Sequence, residues 1–389
     1  MQRRIDLDRV NSIMDREHLD ALVALTPEDV FYLSEMPCSF IAANRLLYSV
    51  RQTSPCFCVV PRKADAKLIL TSAATEVAKK HSWITDLQPY VTGTYISRPT
   101  PITELGKDGL EVLSKTIKNV GDVRRIGVDT KYSYDFFVER LTKSLEGIEI
   151  VEATPIFDEL RMIKTPEELR RFREADRILC KALRGVIREM KPGVTERHLE
   201  NSLKNRVLKE GASSWQQTTF AAGSVNGPDI YNQASERKIK NGDIIRFDIG
   251  CVYQGYTADL SRTIGVGKIP PEAVKIHDVL KRGEDAIIER LKLGTKASEL
   301  HRAAVEYVRK ELDPGYKRGN VGHGVGIELY DHPVLSEDDH TPLAPGMTFS
   351  IEVPYHKIGL GGLNIEDSVL VTQKGCEIIT DLPRKLIRV

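Results

Sequence analysis

Apolar and polar residues alternate most regularly within Ile244–Ile249. The odd positions there are apolar, whereas the even positions include Arg246 and Asp248, and a period of two residues is typical of a β-strand with one buried face. Gln254-Gly255 follows as a two-residue turn of the kind that joins hairpin strands. The pattern therefore predicts two antiparallel strands connected by that turn.

The predicted hairpin holds two carboxylates together. With the turn at Gln254-Gly255, Gly250 lies opposite Asp259, and Asp248 shares the face of Gly250. Asp248 and Asp259 are then diagonal neighbours. Like charges at that spacing raise each other's pKa, which favours a shared proton or a cation between them. Two ordinary acids on an exposed hairpin face would give the same pattern.

A second segment repeats the first further along the chain. Gly242 precedes Asp248 by six positions, and Gly346 precedes Glu352 by six positions, again within a strand pattern. Residues at helical spacing precede each copy: Leu199, Leu203 and Val207 in the first, and Leu300, Ala304 and Val308 in the second. The chain from about residue 165 therefore reads as one helix-helix-hairpin unit present twice.

Each copy carries a second acid, which is Asp259 in the first and Glu366 in the second. Packing of the copies about a pseudo-twofold axis would bring four carboxylates together. His323 adds an imidazole nitrogen on a glycine-rich strand or turn. The set suits two hard or borderline divalent ions. Its members are Asp248, Asp259, His323, Glu352 and Glu366.

At these residues the chain resembles the pita-bread metallopeptidase family, which includes methionine aminopeptidase, aminopeptidase P, prolidase and the metal-free creatinase. Five segments match the family's ligand motifs in order: Phe-Asp248-Ile-Gly, Ala-Asp259-Leu-Ser-Arg-Thr, Gly-His323-Gly-Val-Gly, Ser-Ile-Glu352 and Asn-Ile-Glu366-Asp. Five motifs in order on predicted strands are highly specific. Creatinase lacks the metal ligands that are intact here, so we expect a metal-binding member.

The resemblance covers the whole chain and implies an α+β architecture in two domains. Residues 156–389 are expected to form a catalytic domain with the pita-bread fold and pseudo-twofold duplicated halves. Residues 1–155 are expected to form a smaller α/β domain of the creatinase and prolidase amino-terminal type. In relatives this domain helps to close the active site of a neighbouring subunit, so the resemblance also implies a homodimer.

The resemblance further implies dinuclear metal chemistry at the five ligands. Asp248 and Glu366 would bridge the ions, Asp259 would complete one site, and His323 with Glu352 would complete the other. A water shared by two ions becomes acidic enough to attack an amide carbonyl as hydroxide, and Glu352 is the candidate to carry its proton to the leaving nitrogen. Manganese, cobalt, zinc and iron all suit such an oxygen-rich set.

Several positions depart from the family around the predicted site. Tyr231 and Tyr330 stand where most relatives have histidines that contact the substrate, Gly319 replaces a third histidine, and Asn364 replaces a common arginine. A neutral tyrosine donates a hydrogen bond but does not exchange a proton readily near neutral pH. We treat both tyrosines as candidate catalytic residues. His332 is a candidate replacement, although a histidine beside a proline in a loop is more often simply exposed.

The amino-terminal residues 1–155 show alternating helical and strand patterns. Helices are predicted from Leu7 to Met14 and from Tyr134 to Leu145, and short strands are predicted at Ala21–Leu25, Cys56–Val60, Lys67–Leu70 and Ile148–Val151. The prolines and glycines of Thr85–Gly109 predict a long surface loop. This part of the sequence contains neither a glycine-rich phosphate loop nor a cluster of His or Cys, so the pattern gives no sign of catalysis there.

The start of the second domain is marked by a helix signal. Thr165 is a favourable N-cap, Pro166 fits the first helical position, and Glu168 completes a capping box. Apolar residues then recur at steps of three and four from Leu169 to Val186. We expect a long structural helix without a chemical role.

Composition and charge narrow the choice of partners. The sequence has 56 basic and 55 acidic residues, a net charge of +1, so neither nucleic acid nor an anionic membrane is expected to bind. No apolar segment has the length of a membrane span or follows the amino terminus as in a signal peptide. The six cysteines form no Cys-x-x-Cys pair and are expected to be reduced. We expect a cytoplasmic protein with a small substrate.

Three functions fit these observations to different degrees. The fold and the five ligands favour an Xaa-Pro aminopeptidase or dipeptidase, and the replaced histidines count against it. A metal-dependent hydrolase or lyase of a small non-peptide substrate could use the same ions with different recognition residues. A binding protein without catalysis is the least favoured, because degenerate binders in this family commonly lose metal ligands.

Overall fold

The computed structural model describes residues 5–37, 56–91, 108–130 and 135–389. The chain divides into two compact units, Met1–Leu160 and Arg161–Val389. The sequence placed the division after residue 155, which instead falls within a helix that runs from Thr154 to Met162.

The described part of the first unit alternates helices with the strands of one sheet. Its helices are α1 (Leu7–Arg16), α2 (Pro27–Ser34), α3 (Thr75–His81), α4 (Gly109–Asn119), α5 (Asp135–Ser144) and α6 (Thr154–Met162). Its strands are β1 (Ala21–Ala24), β2 (Phe57–Pro61), β3 (Lys67–Thr71), β4 (Asp86–Tyr90), β5 (Arg125–Val128) and β6 (Glu149–Glu152). The sheet has the order β4-β3-β2-β1-β5-β6, and its buried side chains pack against α4 and α5 in one core.

The apolar patterns located six of the described elements of this unit, whereas α2, α3, α4, α6, β4 and β5 were not predicted. Helix α1 and strands β1, β2, β3 and β6 confirm the predicted segments. The other predicted helix corresponds to α5, which begins at Asp135. Tyr134, its predicted first residue, lies outside the described residues.

The prediction of a surface loop over Thr85–Gly109 was wrong for its first part. Asp86–Tyr90 is strand β4, which pairs with β3 in parallel. Pro89 is tolerated there because β4 lies at the edge of the sheet, where a missing N–H leaves no neighbour unpaired. Residues 92–107 lie outside the described residues.

The second unit contains longer helices and a larger sheet. Its helices are α7 (Pro166–Ile187), α8 (Glu196–Lys209), α9 (Gly223–Asn226), α10 (Pro271–Ile288) and α11 (Ala297–Glu311). Its strands are β7 (Ser214–Ala222), β8 (Ile244–Tyr253), β9 (Tyr256–Gly265), β10 (Asn320–Gly324), β11 (Asp331–Ser336), β12 (Thr348–Glu352), β13 (Tyr355–Lys357), β14 (Gly361–Leu363), β15 (Glu366–Thr372), β16 (Gly375–Ile378) and β17 (Ile387–Arg388).

The predicted duplication is visible in the order of the strands. The main sheet runs β11-β10-β12-β15-β9-β8-β7, so β7, β8 and β9 of the first half mirror β10, β12 and β15 of the second. The two halves meet where Glu366 of β15 pairs with Ser261 of β9. Gly242 and Gly346, which precede β8 and β12, both have positive φ, at 91° and 93°, a conformation that favours glycine.

Each half of the sheet has its own helical cover. Phe247 and Leu260 pack with the apolar side chains of α7 and α8, whereas Phe349 and Val369 pack with those of α10 and α11. Because side chains alternate along a strand, the neighbouring acids Asp248, Asp259, Glu352 and Glu366 lie on the opposite face. The burial of apolar residues on one face thus directs all four carboxylates to the other.

Two local predictions that orient these elements are confirmed. Thr165 and Glu168 form the capping box at the start of α7. Tyr253 pairs with Tyr256 across the hairpin turn, and Gln254 and Gly255 both have positive φ, at 48° and 83°, as a type I′ turn requires. This turn sets Gly250 opposite Asp259.

Two further observations concern the whole described chain. None of the described helices combines the length and apolar character needed to cross a membrane. The described cysteines are free thiols, and four of them are buried: Cys56, Cys58, Cys180 and Cys251. Cys38 lies outside the described residues.

Candidate metal centre

The four acids and the histidine predicted as ligands all lie on central strands of the second unit. Asp248 is on β8 and Asp259 is on β9. His323 is on β10, Glu352 ends β12, and Glu366 begins β15. Five residues that are far apart in sequence are thus positioned by one sheet.

Three of these residues form a close group. A carboxylate oxygen of Asp259, an imidazole nitrogen of His323 and a carboxylate oxygen of Glu366 all lie within 4.8 Å of one another. The His323 Nε2 atom is 3.9 Å from Asp259 Oδ2. All three side chains are buried. The family resemblance grouped His323 with Glu352 and placed Asp259 in the other site, whereas the close group in the structure joins His323 with Asp259 and Glu366.

The imidazole of His323 is arranged as a ligand. Its Nδ1 lies 3.1 Å from the carbonyl oxygen of Gly324, which can only accept a hydrogen bond, so Nδ1 donates and Nε2 keeps its lone pair. Burial lowers the pKa of His323, which favours the neutral ring. Fixing the tautomer through the second nitrogen is the usual way in which proteins orient a metal-binding histidine.

Asp248 and Glu352 are held by basic and amide groups next to the close group. Arg246 Nη1 lies 3.5 Å from Asp248 Oδ2. Arg318 Nη2 donates to Glu352 Oε1 at 2.6 Å, and Asn364 Nδ2 donates to Glu352 Oε2 at 3.1 Å. The Asp248 side chain is 23% exposed and that of Glu352 is 13% exposed, so these two acids lie on the solvent side of the cluster.

The carboxylates disturb one another's protonation. Burial raises the pKa of Asp248 to about 6, although Arg246 opposes the shift and Glu352 adds to it. Burial also raises the pKa of Asp259 and of Glu366, and the charges of Asp248 and Glu352 add to both shifts. Crowded, buried carboxylates of this kind favour a proton or a cation among them.

The donor set fits divalent metal ions. Carboxylate oxygens and one neutral imidazole are ligands that suit manganese, cobalt, zinc and iron. The positive charges of Arg246 and Arg318 neutralise only part of the negative charge of the four acids, which favours additional cations. Ser350 Oγ donates to Glu366 Oε1 at 2.7 Å, which orients that carboxylate from outside the cluster. Such supporting hydrogen bonds are typical of metal sites.

The candidate catalytic residues that replace histidines lie in different environments. The Tyr330 ring stacks on His323 with ring centroids 3.7 Å apart, so the structure places Tyr330 against the cluster. Tyr330 is half-exposed, and its partial burial together with the cluster acids raises the pKa of its hydroxyl, which stays protonated at neutral pH. Tyr231 is 77% exposed and follows Ile230, whose carbonyl accepts from Arg246. His332 has an exposed side chain.

Sequence reasoning overlooked several residues that contact the cluster. Arg246 and Ser350 share the strand faces of Asp248 and Glu352 by the period of two, so the alternation itself could have identified them. Arg318 immediately precedes Gly319, a position singled out only for its missing histidine. Asn364 drew attention in the sequence only because it replaces an arginine common in the family. Its hydrogen bond to Glu352 could be recognised only from the folded structure.

Comparison with known proteins agrees with these observations along the whole chain. Residues 170–373 match metallopeptidase family M24, and residues 7–163 match the creatinase/prolidase N-terminal domain. An Xaa-Pro dipeptidase from Pyrococcus furiosus is 26% identical over 383 residues, which covers 98% of this chain and 99% of the relative.

Solved structures show the same fold. An Xaa-Pro dipeptidase from Bacillus anthracis has a TM-score of 0.83 at 23% identity, and the match covers 98% of this chain and 99% of that one. The prolidase from Pyrococcus horikoshii has a TM-score of 0.82 at 25% identity with the same coverage. Both predicted fold types, the duplicated carboxy-terminal fold and the amino-terminal domain, are confirmed.

Proposed function

Because the chain belongs to metallopeptidase family M24, we propose that it is a metal-dependent Xaa-Pro peptidase that cleaves the amino-terminal bond of a small peptide. The observation that carries this proposal is the buried group of Asp259, His323 and Glu366, whose ligand atoms lie within 4.8 Å of one another. Relatives that align over nearly all of their length are named Xaa-Pro dipeptidases. They do not favour the alternative of a non-peptide substrate.

We assign the metal ions to the five residues predicted from the sequence. Asp259, His323 and Glu366 supply the buried donors, and Asp248 and Glu352 supply oxygens on the solvent side. Two divalent ions are the proposed complement, with manganese, cobalt, zinc and iron all compatible. When bound, such ions make a water nucleophilic at neutral pH and polarise the carbonyl under attack.

The remaining chemistry belongs to side chains of this chain. Glu352 is the proposed carrier of a proton from the attacking water to the leaving nitrogen. Hydrogen bonds from Arg318 and Asn364 fix its carboxylate. The Tyr330 hydroxyl, which stays protonated, is a proposed donor to the substrate near His323. Tyr231 is a second proposed substrate contact, and the assignment of His332 stays a prediction.

Two wider features are proposed on the resemblance and the composition. We propose a homodimer and a cytoplasmic location, with neither nucleic acid nor membrane as partner. The near balance of charge, a net +1 over 389 residues, supports the absence of polyanionic partners. Sedimentation analysis of the purified chain tests the dimer directly.

The proposed activity is tested by the release of an amino acid from Xaa-Pro dipeptides. Chelator-treated protein is assayed with and without added manganese or cobalt, beside Asp248→Asn. A matched control is Glu377→Gln, an acid on β16 whose partner is Arg173 on the surface. We expect metal-stimulated release by the wild type and Glu377→Gln, and strong loss in Asp248→Asn. No metal-stimulated release from any Xaa-Pro dipeptide would remove the proposal.

A further inference from the structure

A chain of buried charges lies behind the large sheet, on the face away from the acid cluster. Arg262 of β9 donates through Nη2 to Asp367 Oδ1 of β15, and both side chains are fully buried. Arg384 donates through Nε to the other oxygen of Asp367 at 2.7 Å. The remaining groups of Arg384 contact Asp285 and Glu284 of α10 at 2.6 and 2.7 Å. We call Arg262, Asp367 and Arg384 the seam network.

The seam network lies where the two halves of the sheet meet. Strands β8 and β9 of the first half pair over ten residues. Within the described chain, by contrast, Glu366 with Ser261 is the one ladder pair between β15 and β9. Asp259 and Glu366, which belong to different halves, are therefore held at their spacing largely by side chains at this seam.

Arg262 is the side chain that connects the strands at the seam. Its Nη1 donates to the carbonyl oxygen of Ser261 at 2.9 Å and to that of Glu366 at 2.7 Å. The other N–H groups reach Asp367 and the carbonyl oxygens of Leu382 and Pro383. All five donors of the guanidinium are thus used. One group fixes the backbone of a proposed metal ligand both to β9 and to the segment that carries Arg384.

The duplication indicates that the sheet does not need these charges for its own stability. Counted from the proposed metal ligands, the second half has Val369 where the first has Arg262, and the first half has Leu260 where the second has Asp367. The two apolar side chains are buried as well. Burying charges is costly, so an ion pair in such a position is weak evidence for stability and better explained by the arrangement that it specifies.

The segment that carries Arg384 is fastened to the first half of the sheet. Ile387 of β17 pairs with Ile264 of β9 in parallel, and the Val389 N–H donates to the carbonyl of Gly265 at 3.0 Å. Arg384 therefore holds Asp367 of the second half from a position fixed to the first half.

We propose that Arg384 is a positioning residue for the metal centre. Through Asp367 and Arg262 it fixes the backbone of Glu366 against β9, and so sets the spacing of the donors that the two halves contribute. The inference rests on the proposed metal centre. Arg262 is less suitable for a test, because its loss leaves Asp367 and several carbonyl groups buried with fewer partners. The Arg384 side chain is partly exposed and contacts none of the five proposed ligands.

The test compares Arg384→Gln and Arg384→Lys with the wild type. Lys281→Gln is the matched control, since Lys281 pairs with Asp285 at 2.7 Å, an acid that Arg384 also contacts, but lies outside the seam network. Calorimetric titration of chelator-treated protein gives the affinity for manganese. Electron paramagnetic resonance of the manganese-saturated proteins reports the coupling between neighbouring ions and hence their spacing. Hydrogen–deuterium exchange of the metal-free proteins measures the protection of β9 and β15.

We expect Arg384→Gln to bind manganese about tenfold more weakly, to show altered coupling at saturation and to exchange faster in β9 and β15. Arg384→Lys should recover part of each loss, because a lysine keeps a positive charge beside Asp367, and it replaces Arg384→Gln in the comparison if that variant does not fold. Lys281→Gln should match the wild type.

A variant that is only less stable would keep the wild-type coupling once it is saturated with manganese. Unchanged affinity and coupling in the Arg384 variants, or the same changes in Lys281→Gln, would therefore overturn the inference. Absence of manganese binding by the wild type would instead reject the metal centre itself, and the inference with it.

Discussion

The ring of Tyr330 lies against the imidazole of His323, with centroids 3.7 Å apart and an angle of 22° between the planes. One face of the proposed metal ligand is therefore covered by an aromatic ring, while its Nδ1 is held by Gly324. The stack and the hydrogen bond together fix the direction of the free Nε2 atom. Tyr330 consequently supports the proposed metal ligand through this ring contact, in addition to the role in substrate binding proposed for its hydroxyl.

Substitution of Tyr330 should separate these two contributions. Tyr330→Phe keeps the stacked ring, so metal affinity should stay within about threefold of the wild type while the turnover of peptide falls. Tyr330→Ala frees the imidazole, and the loss of an aromatic pair worth about 0.5–1.5 kcal/mol should weaken metal binding by up to about tenfold. Calorimetric titration of manganese measures both. Unchanged affinity in Tyr330→Ala would show that the stack does not orient His323.

Ser350 offers a second test of the supporting contacts. Ser350→Ala removes the hydrogen bond to Glu366 Oε1, and loss of such a contact should lower metal affinity by about 10–100-fold. Ser368 is a matched control, because it pairs with Ser350 across the strands and donates to the carbonyl of Asp259. Ser368→Ala should bind metal nearly as the wild type. Equal losses in both variants would mean that the effect is one of general packing.

The metal-free protein should become less stable as the pH rises from about 4 to about 6. An unfolded aspartate titrates near 3.9, whereas Asp248 in the fold has a pKa of about 6. Across that range the unfolded chain releases a proton that the folded chain retains, so rising pH favours unfolding, by an amount on the order of 2 kcal/mol.

The comparison with Asp248→Asn isolates this contribution. Chemical denaturation of both chelated proteins at several pH values gives their free energies of unfolding. Their difference should change between pH 4 and pH 6 and level off above it. Saturating manganese should reverse the trend for the wild type, because metal binding needs deprotonated carboxylates. A difference that does not vary with pH would contradict the raised pKa.

The hairpin turn should tolerate substitution of Gln254 but lose stability on substitution of Gly255. Gly255→Ala places a Cβ atom on a residue with φ of 83° and should lower the free energy of unfolding by about 1–2 kcal/mol. Gln254→Asn should be neutral or slightly stabilising, since asparagine tolerates the left-handed region better. Thermal denaturation of the metal-free proteins measures both. Equal stability of Gly255→Ala and the wild type would argue against this turn.

Strands β8 and β12 of the second unit could be predicted because their apolar residues recur every second position, which is the period at which side chains of a strand face the core. Asp248 and Glu352 are the polar members of otherwise apolar alternations, and only one register of β8 and β12 buries Phe247 and Phe349. The equal spacing of six residues from Gly242 to Asp248 and from Gly346 to Glu352 indicated the duplication. Local signals also fixed the turn at Gln254-Gly255 and the cap at Thr165.

Other parts of the site depend on contacts between distant segments. Nothing local to Arg318 indicates that it donates to Glu352, 34 residues away. Strand β4 was missed because its proline suggested a loop, and only its edge position explains the tolerance.

The binding of manganese to the chelator-treated protein tests the metal centre most directly. Calorimetric titration should give two ions for each wild-type chain and for Glu377→Gln, and saturable binding should be largely lost in Glu366→Gln although circular dichroism shows an unchanged fold. Binding that is absent in the wild type, or that is the same in Glu366→Gln, would contradict a metal centre built on these five residues.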